Sequence, residues 1–239
     1  MRKQAAGSTR CRESHRQTQL GSGVAVESLD YPELYRLQDR VLDVLFSVQT
    51  SFYLTGGTCL HRFHVEHRFS DDLDLFTNDN NLYREDVRAL INGLRQAGIA
   101  FHIEVDTRDF VRMIVEHALK IDLVNDRVYR LGTNLPGPRG IALDSIPNIA
   151  ANKICAIMGR DEPKDVFDLY SIFTTTQTDW PTVIAAAQKK CAWDMESLEF
   201  RLQSFPLNLL DLLPVPDPNF ITSMKQNYQD LIDFLVTIP

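Results

Sequence analysis

Apolar residues recur along this 239-residue chain in two rhythms, and the switch between them divides it. Over residues 30 to 49, Leu34, Leu37, Val41, Leu45 and Val48 fall at helical spacing and predict an amphipathic helix. Phe52-Tyr53-Leu54 is strand-like and stops at Thr55-Gly56-Gly57-Thr58. Leu60, Phe63 and His64 resume a helical period, and Leu73-Asp74-Leu75-Phe76 reads as a second strand. Leu82, Val87, Leu90, Ile91 and Leu94 predict a helix over 80 to 97, ending near Gly98. Three short strands are expected next, at Phe101 to Thr107, Val111 to Glu116 and Leu119 to Val124. Leu131 to Gly140 holds two prolines and three glycines and is expected to be a loop. Beyond it the pattern is helical, with starts expected near Ile146, Pro163, Pro181, Met195 and Phe220. Residues 214 to 218, Pro-Val-Pro-Asp-Pro, form a stiff link before the last helix.

This order implies an α+β fold class: a mixed sheet flanked by helices over 25 to 135, then a helical bundle over 141 to 239. Residues 1 to 24 carry five basic side chains against a single Glu13, and almost no large apolar residue. They are expected to be a disordered leader, with a basic arm that touches nucleic acid as the sharper alternative. The formal net charge of -7 excludes a generally basic nucleic-acid coat but not a local basic patch. Cys11, Cys59, Cys155 and Cys191 are scattered without a Cys-x-x-Cys pair, so reduced thiols in a cytoplasm are expected, not a disulfide frame or a zinc site. No apolar run reaches the ~20 residues of a membrane span, and no membrane partner is expected.

The chemistry concentrates between residues 53 and 77. Two glycines between a strand and a helix let the backbone turn tightly, and the open N–H groups of the helix start suit phosphate oxygens. Asp72 and Asp74, two apart on a strand, point to one face, which suits a pair of divalent ions bridging to a triphosphate. Either half alone is common, but together and so close they favour nucleotidyl transfer. His61, His64 and His67, three apart, invite a zinc reading, but no carboxylate completes a set. They are expected on a helix face, where with Arg62 and Arg68 they would make a positive rim beside the phosphates. In the helix from Ile146, Lys153 falls inside the stripe of Ile146, Ile149, Ala150, Ile154 and Ile157, with Arg160 nearly above it. A lysine facing the core suggests a site at the junction of the two halves. On the next helix Asp165 and Asp168 lie away from Val166, Tyr170 and Phe173, and a solvated acidic face is expected there.

Gly56-Gly57-Thr58-Cys59-Leu60 and His67-Arg68-Phe69-Ser70-Asp71-Asp72-Leu73-Asp74-Leu75 resemble, almost residue by residue, the AbiEii/AbiGii toxin branch of the polymerase-β-like nucleotidyltransferases. Asn152-Lys153, Arg160 and Lys164-Asp165-Val166-Phe167-Asp168-Leu169 extend the resemblance to about residue 175. Asn152 stands where the branch has a small residue and Lys164 where Arg is common. The resemblance implies a polymerase-β-like core. It implies Asp72, Asp74 and Asp122 as catalytic metal ligands, the last from the neighbouring strand. Gly56, Gly57, Thr58, Arg68, Ser70, Lys153 and Arg160 would surround the nucleotide. Lys153 would meet the triphosphate and Asp165 would act as base or orient the attacking hydroxyl. The implied cofactor is Mg2+, two ions, with Mn2+ as a substitute. The implied reaction moves a nucleotide from a nucleoside triphosphate (NTP) to an acceptor hydroxyl, on tRNA, with release of pyrophosphate. A cognate antitoxin protein is the implied partner. The alternatives are a small-molecule or protein acceptor, or a module that binds nucleotide or partner without turnover.

Overall fold

The computed structural model describes residues 29–238, so the expected leader and Cys11 lie outside the described residues. Helix α1 (Tyr31–Ser47) starts where Asp30 accepts the backbone N–H of Glu33 at 3.0 Å. Strand β1 (Tyr53–Thr55) runs straight into α2 (Gly56–Phe63), and β2 (Leu73–Asn78) and α3 (Tyr83–Gln96) follow. Three strands come next, β3 (Phe101–Asp106), β4 (Phe110–Val115) and β5 (Leu119–Asp126). Each element stands within a few residues of its expected place.

The expected loop at 131 to 140 is a correction. It holds a short strand, β6 (Leu135–Pro136), and a 3₁₀ turn (Pro138–Gly140), and with β7 (Ala142–Leu143) it adds an edge to the sheet. A proline is tolerated there because β6 is an edge strand whose other side needs no donor. The sheet therefore draws on both sides of the expected junction. Its order is β3-β4-β5-β2-β1-β7-β6, with β2 parallel to β5, β1 parallel to β7 and the other pairs antiparallel.

Alternation decides what each face does. Leu73, Leu75, Ile121 and Leu123 turn one way into the core with α1 and α3, and Tyr83 of α3 donates to the carbonyl of Leu123 at 2.8 Å. Asp72, Asp74 and Phe76 turn the other way, where α4 (Ile146–Gly159) and α5 (Pro163–Thr175) come up to the sheet. Helices α6 (Trp180–Lys190), α7 (Met195–Ser204) and α8 (Pro218–Val236) complete the helical half, with a 3₁₀ stretch at Leu207–Leu212. Phe220 of α8 wedges against Phe167 and Tyr170 of α5, and one hydrophobic core runs through both halves. Among the described residues no helix is long and apolar enough to cross a membrane.

The cysteines depart from expectation. Cys155 of α4 and Cys191, just past α6, are joined as a disulfide, while Cys59 is free and buried. The pair is 36 residues apart in sequence, and only the antiparallel return of α6 onto α4 brings it together.

Candidate functional site

The site begins at the β1–α2 turn. Gly56 sits at φ +69°, and a Cβ there would collide with a carboxylate oxygen of Asp74. A Cβ at Gly57 would strike the Arg68 guanidinium and the Ser70 hydroxyl. Both glycines are required because site side chains occupy the space. No side chain caps α2 at Thr55, so its first N–H groups are open to a ligand. Thr58 is fully buried; its hydroxyl donates to the Asp72 carbonyl and accepts from Ser70 Oγ at 2.9 Å, tying helix to strand.

The strands supply a row of charge. In the parallel β2–β5 register Asp74 stands beside Asp122, and in the antiparallel β4–β5 register Arg112 stands beside Asp122. Arg112 grips Asp122 with two hydrogen bonds, 2.7 and 2.8 Å. One step down the same face Lys120 meets Asp72 at 2.6 Å. Asp74 is the carboxylate of the row for which no cation stands in contact among the described residues. Burial, with Asp72 and Asp122 beside it, pushes its pKa up to about 6. Among the described residues no three His, Cys, Asp or Glu side chains are grouped closely enough to hold an ion by themselves. The donor set nonetheless fits magnesium, which takes one or two carboxylates and completes its shell with water and substrate phosphate.

The helical half faces this row with cations. Lys153 is almost wholly buried and gives Nζ to Asp165 at 2.8 Å and to Asp168 at 2.6 Å. Burial pulls its pKa down, but Asp168 and Asp165 outweigh that, so the net shift is upward and the ammonium stays charged. Arg160 holds the other oxygen of Asp165 at 2.7 Å. Arg68 clamps Asp168 with Nε at 2.6 Å and Nη2 at 2.9 Å. His61 completes the knot: Nε2 donates to Asp168 at 2.7 Å while Nδ1 accepts the His67 N–H at 3.2 Å. A neutral imidazole makes both bonds at once, and burial lowers its pKa to keep it neutral. Despite burial, Arg68, Lys153 and His61 hold Asp168 well below the usual carboxylate range.

The expected solvated acidic face is therefore a correction: Asp165 and Asp168 are both fully buried. Helix α5 is buried continuously from Asp165 to Ile172, so its apolar stripe did not mark its only covered side. The expected basic rim is corrected too. Arg62 turns away to Asp39 at 2.8 Å and lies over the Tyr35 ring, and His64 turns to the Asp144 carbonyl at 3.1 Å. Of that rim only Arg68 lines the charged cavity.

This cavity, about 180 Å³, brings together Gly57, Arg68, Ser70, Asp72, Asp74, Asp122, Lys153 and Arg160 of the residues singled out from sequence. Gly56 and Asp165 border the next chamber. Thr58 lies beneath the turn. Arg112, Lys120 and Lys164 also line the cavity, and nothing in the sequence reading gave the first two a place. Period two would have found them, since 120 and 122 share a face of β5 and 112 lies opposite. Asp168 carried no such signal.

A mixed sheet with this acidic row beside a glycine-opened helix, closed by a cationic helical half, defines a nucleotidyltransferase. The chain belongs to the AbiEii family of nucleotidyl transferase toxins, of the type IV toxin–antitoxin systems, whose family model matches residues 40–237. Among solved structures it is similar to JHP933 from Helicobacter pylori, with TM-score 0.55 and 19% identity over 88% of this chain and 95% of that one. It is also similar to MenT4, a nucleotidyltransferase toxin from Mycobacterium tuberculosis, with TM-score 0.56 and 19% identity over 85% of this chain and 84% of that one. A nucleotidyltransferase structure from H. pylori matches at TM-score 0.52 and 21% identity over 89% of this chain and 99% of that one. At these identities the likeness is one of fold. None of the curated proteins matches the chain in sequence.

Proposed function

We propose that this toxin-type enzyme moves a nucleotide from an NTP to an acceptor hydroxyl on tRNA in the cytoplasm, with magnesium, under control of a cognate antitoxin. The observation that carries this reading is the confrontation, in one cavity, of Asp72, Asp74 and Asp122 with Lys153, Arg68 and Arg160. Asp72, Asp74 and Asp122 would share the metal, one or two carboxylates to an ion with water and phosphate completing its shell, and Asp74 is the group most in need of positive charge. Bound there, magnesium would screen the phosphate oxygens and align the two oxygens that exchange places on phosphorus. The open N–H groups of α2 and the Ser70 hydroxyl would receive the terminal phosphates. Lys153 keeps its third proton for the triphosphate, and the charge that builds on it in transfer is stabilised by a preorganised cation.

In the transfer the acceptor hydroxyl releases its proton to solvent water as its oxygen bonds to the α-phosphorus, the bond to the bridging oxygen breaks, and pyrophosphate leaves with that electron pair. Asp165 supports the site by orientation. Lys153 and Arg160 overcome its burial and lower its pKa, the opposite of what a base requires. The test is incubation with each labelled NTP, magnesium, and total RNA or protein. Label in the tRNA band supports the whole reading. Label only in protein or a small molecule removes the tRNA acceptor, and no label in anything removes the transfer.

A further inference from the structure

Among the described residues, six cationic side chains and four carboxylates line the charged cavity. Directly behind it Asp165 and Asp168 hold three of those cations, Arg68, Lys153 and Arg160, and bring the formal charges into balance. A balanced cavity exerts no net pull on a bare divalent ion. Within the row, only Asp74 would receive such an ion freely. Asp122 is already taken by Arg112, and Asp72 by Lys120.

These two pairs are built differently. Arg112 grips both oxygens of Asp122 through a planar fork, and its guanidinium carbon lies 5.4 Å from the centroid of the Phe110 ring. That is a fixed support, which orients Asp122. Lys120 meets Asp72 Oδ2 through a single ammonium contact on a flexible four-carbon stem. Its side chain is 32% exposed and that of Asp72 is 27% exposed. An ion pair as open as this contributes at most roughly fivefold to an equilibrium, so a stronger ligand for Asp72 displaces the lysine readily. Lys153, buried between Asp165 and Asp168, has no such freedom.

Resting on the nucleotidyltransferase reading above, we infer that Lys120 is a resident counter-ion that exchanges partners: it holds Asp72 before magnesium arrives, then yields it and turns its ammonium to the phosphates that accompany the metal. Before the exchange Lys120 and Arg112 spare the protein the repulsion of three neighbouring carboxylates. Magnesium alone would leave the cavity with two surplus positive charges, and a triphosphate entering with it removes that surplus. Lys120 thereby couples the two ligands, so that the site takes up metal well only together with a polyphosphate. The exchange breaks no covalent bond and moves no proton, since the ammonium passes from one anionic oxygen to another.

The test compares wild-type protein, Lys120→Met and Lys120→Arg by calorimetry, first with magnesium alone and then with inorganic tripolyphosphate at saturating magnesium. Lys120→Met should bind free magnesium about tenfold more tightly, the scale of a unit charge about 5 Å from a divalent one at the dielectric of water. It should bind tripolyphosphate about tenfold more weakly, while Lys120→Arg, which keeps the charge, stays near wild type in both. Acetylation by an amine-reactive ester, read by mass spectrometry, follows the ammonium itself. In wild-type protein Lys120 should label faster once magnesium is added, and slower again once tripolyphosphate joins it. Unchanged or weaker magnesium binding by Lys120→Met, undiminished tripolyphosphate binding, or labelling indifferent to both ligands overturns the inference. Should Lys120→Met not fold, Lys120→Gln and the wild-type labelling decide. Opposed shifts without nucleotide transfer to any acceptor leave the role of Lys120 standing and sink the transfer reading, and transfer without those shifts does the reverse.

Discussion

Asp74 shows at the scale of one residue how a site costs the protein stability. Its folded pKa, pushed up to about 6, lies above its unfolded value, so the nucleotide-free protein loses stability as pH rises through that window. Asp74→Asn should abolish transfer and yet raise the apo stability at pH 7 by about 1–3 kcal/mol. The gain should vanish below about pH 4, where both forms are neutral. Melting curves of the two proteins across pH, beside a transfer assay, measure both effects. Asp168 behaves with the opposite sign. Its pKa is depressed in the fold, so its contribution is full above the unfolded pKa and lost as pH falls toward the folded one. Asp168→Asn leaves Arg68 and Lys153 short of a buried partner and should cost about 3–5 kcal/mol at pH 7, read by denaturant unfolding. Lys153→Met, which sequence spacing alone would treat as neutral for folding, strips the only cation shared by Asp165 and Asp168 among the described residues. It should destabilise by a similar amount, besides slowing transfer about 10²–10³-fold.

At the scale of elements, α4 and α6 are clasped by Cys155–Cys191. Reduction, or Cys191→Ser, should lower stability by about 2–4 kcal/mol, the usual range for such a loop closure. Thiol titration before and after reductant should count two additional reactive sulfurs, while Cys59 stays silent until unfolding because it is buried. In a reducing cytoplasm the pair would be open to cleavage, so melting with and without reductant shows how far α6 depends on it. Among the other elements, α2 and β2 were legible because glycines and alternation mark them directly. Helix α5 was not: a helix covered on every side has no polar face to contrast with its apolar one.

For the whole molecule, the net charge of -7 bears on the acceptor. If the acceptor is RNA, its capture relies on a local group of cations, and labelling should fall about tenfold or more between roughly 50 and 200 mM salt. Labelling of a small neutral acceptor should hardly respond. A salt series on the same reaction separates the two.

The sequence by itself determined most of the elements, the α+β class, the glycine turn between β1 and α2 and the Asp72–Asp74 pair, because each rests on residues close together in the chain. Lys153 was legible for the same reason, as a charge inside an apolar stripe. Only the tertiary structure decided that Arg112 would hold Asp122, that Lys120 would meet Asp72 and that His61 and Arg68 would converge on Asp168, 107 and 100 residues away. It also decided that two distant cysteines would join. Those pairings depend on strand register and on how helices cross, and no local spacing carries that information.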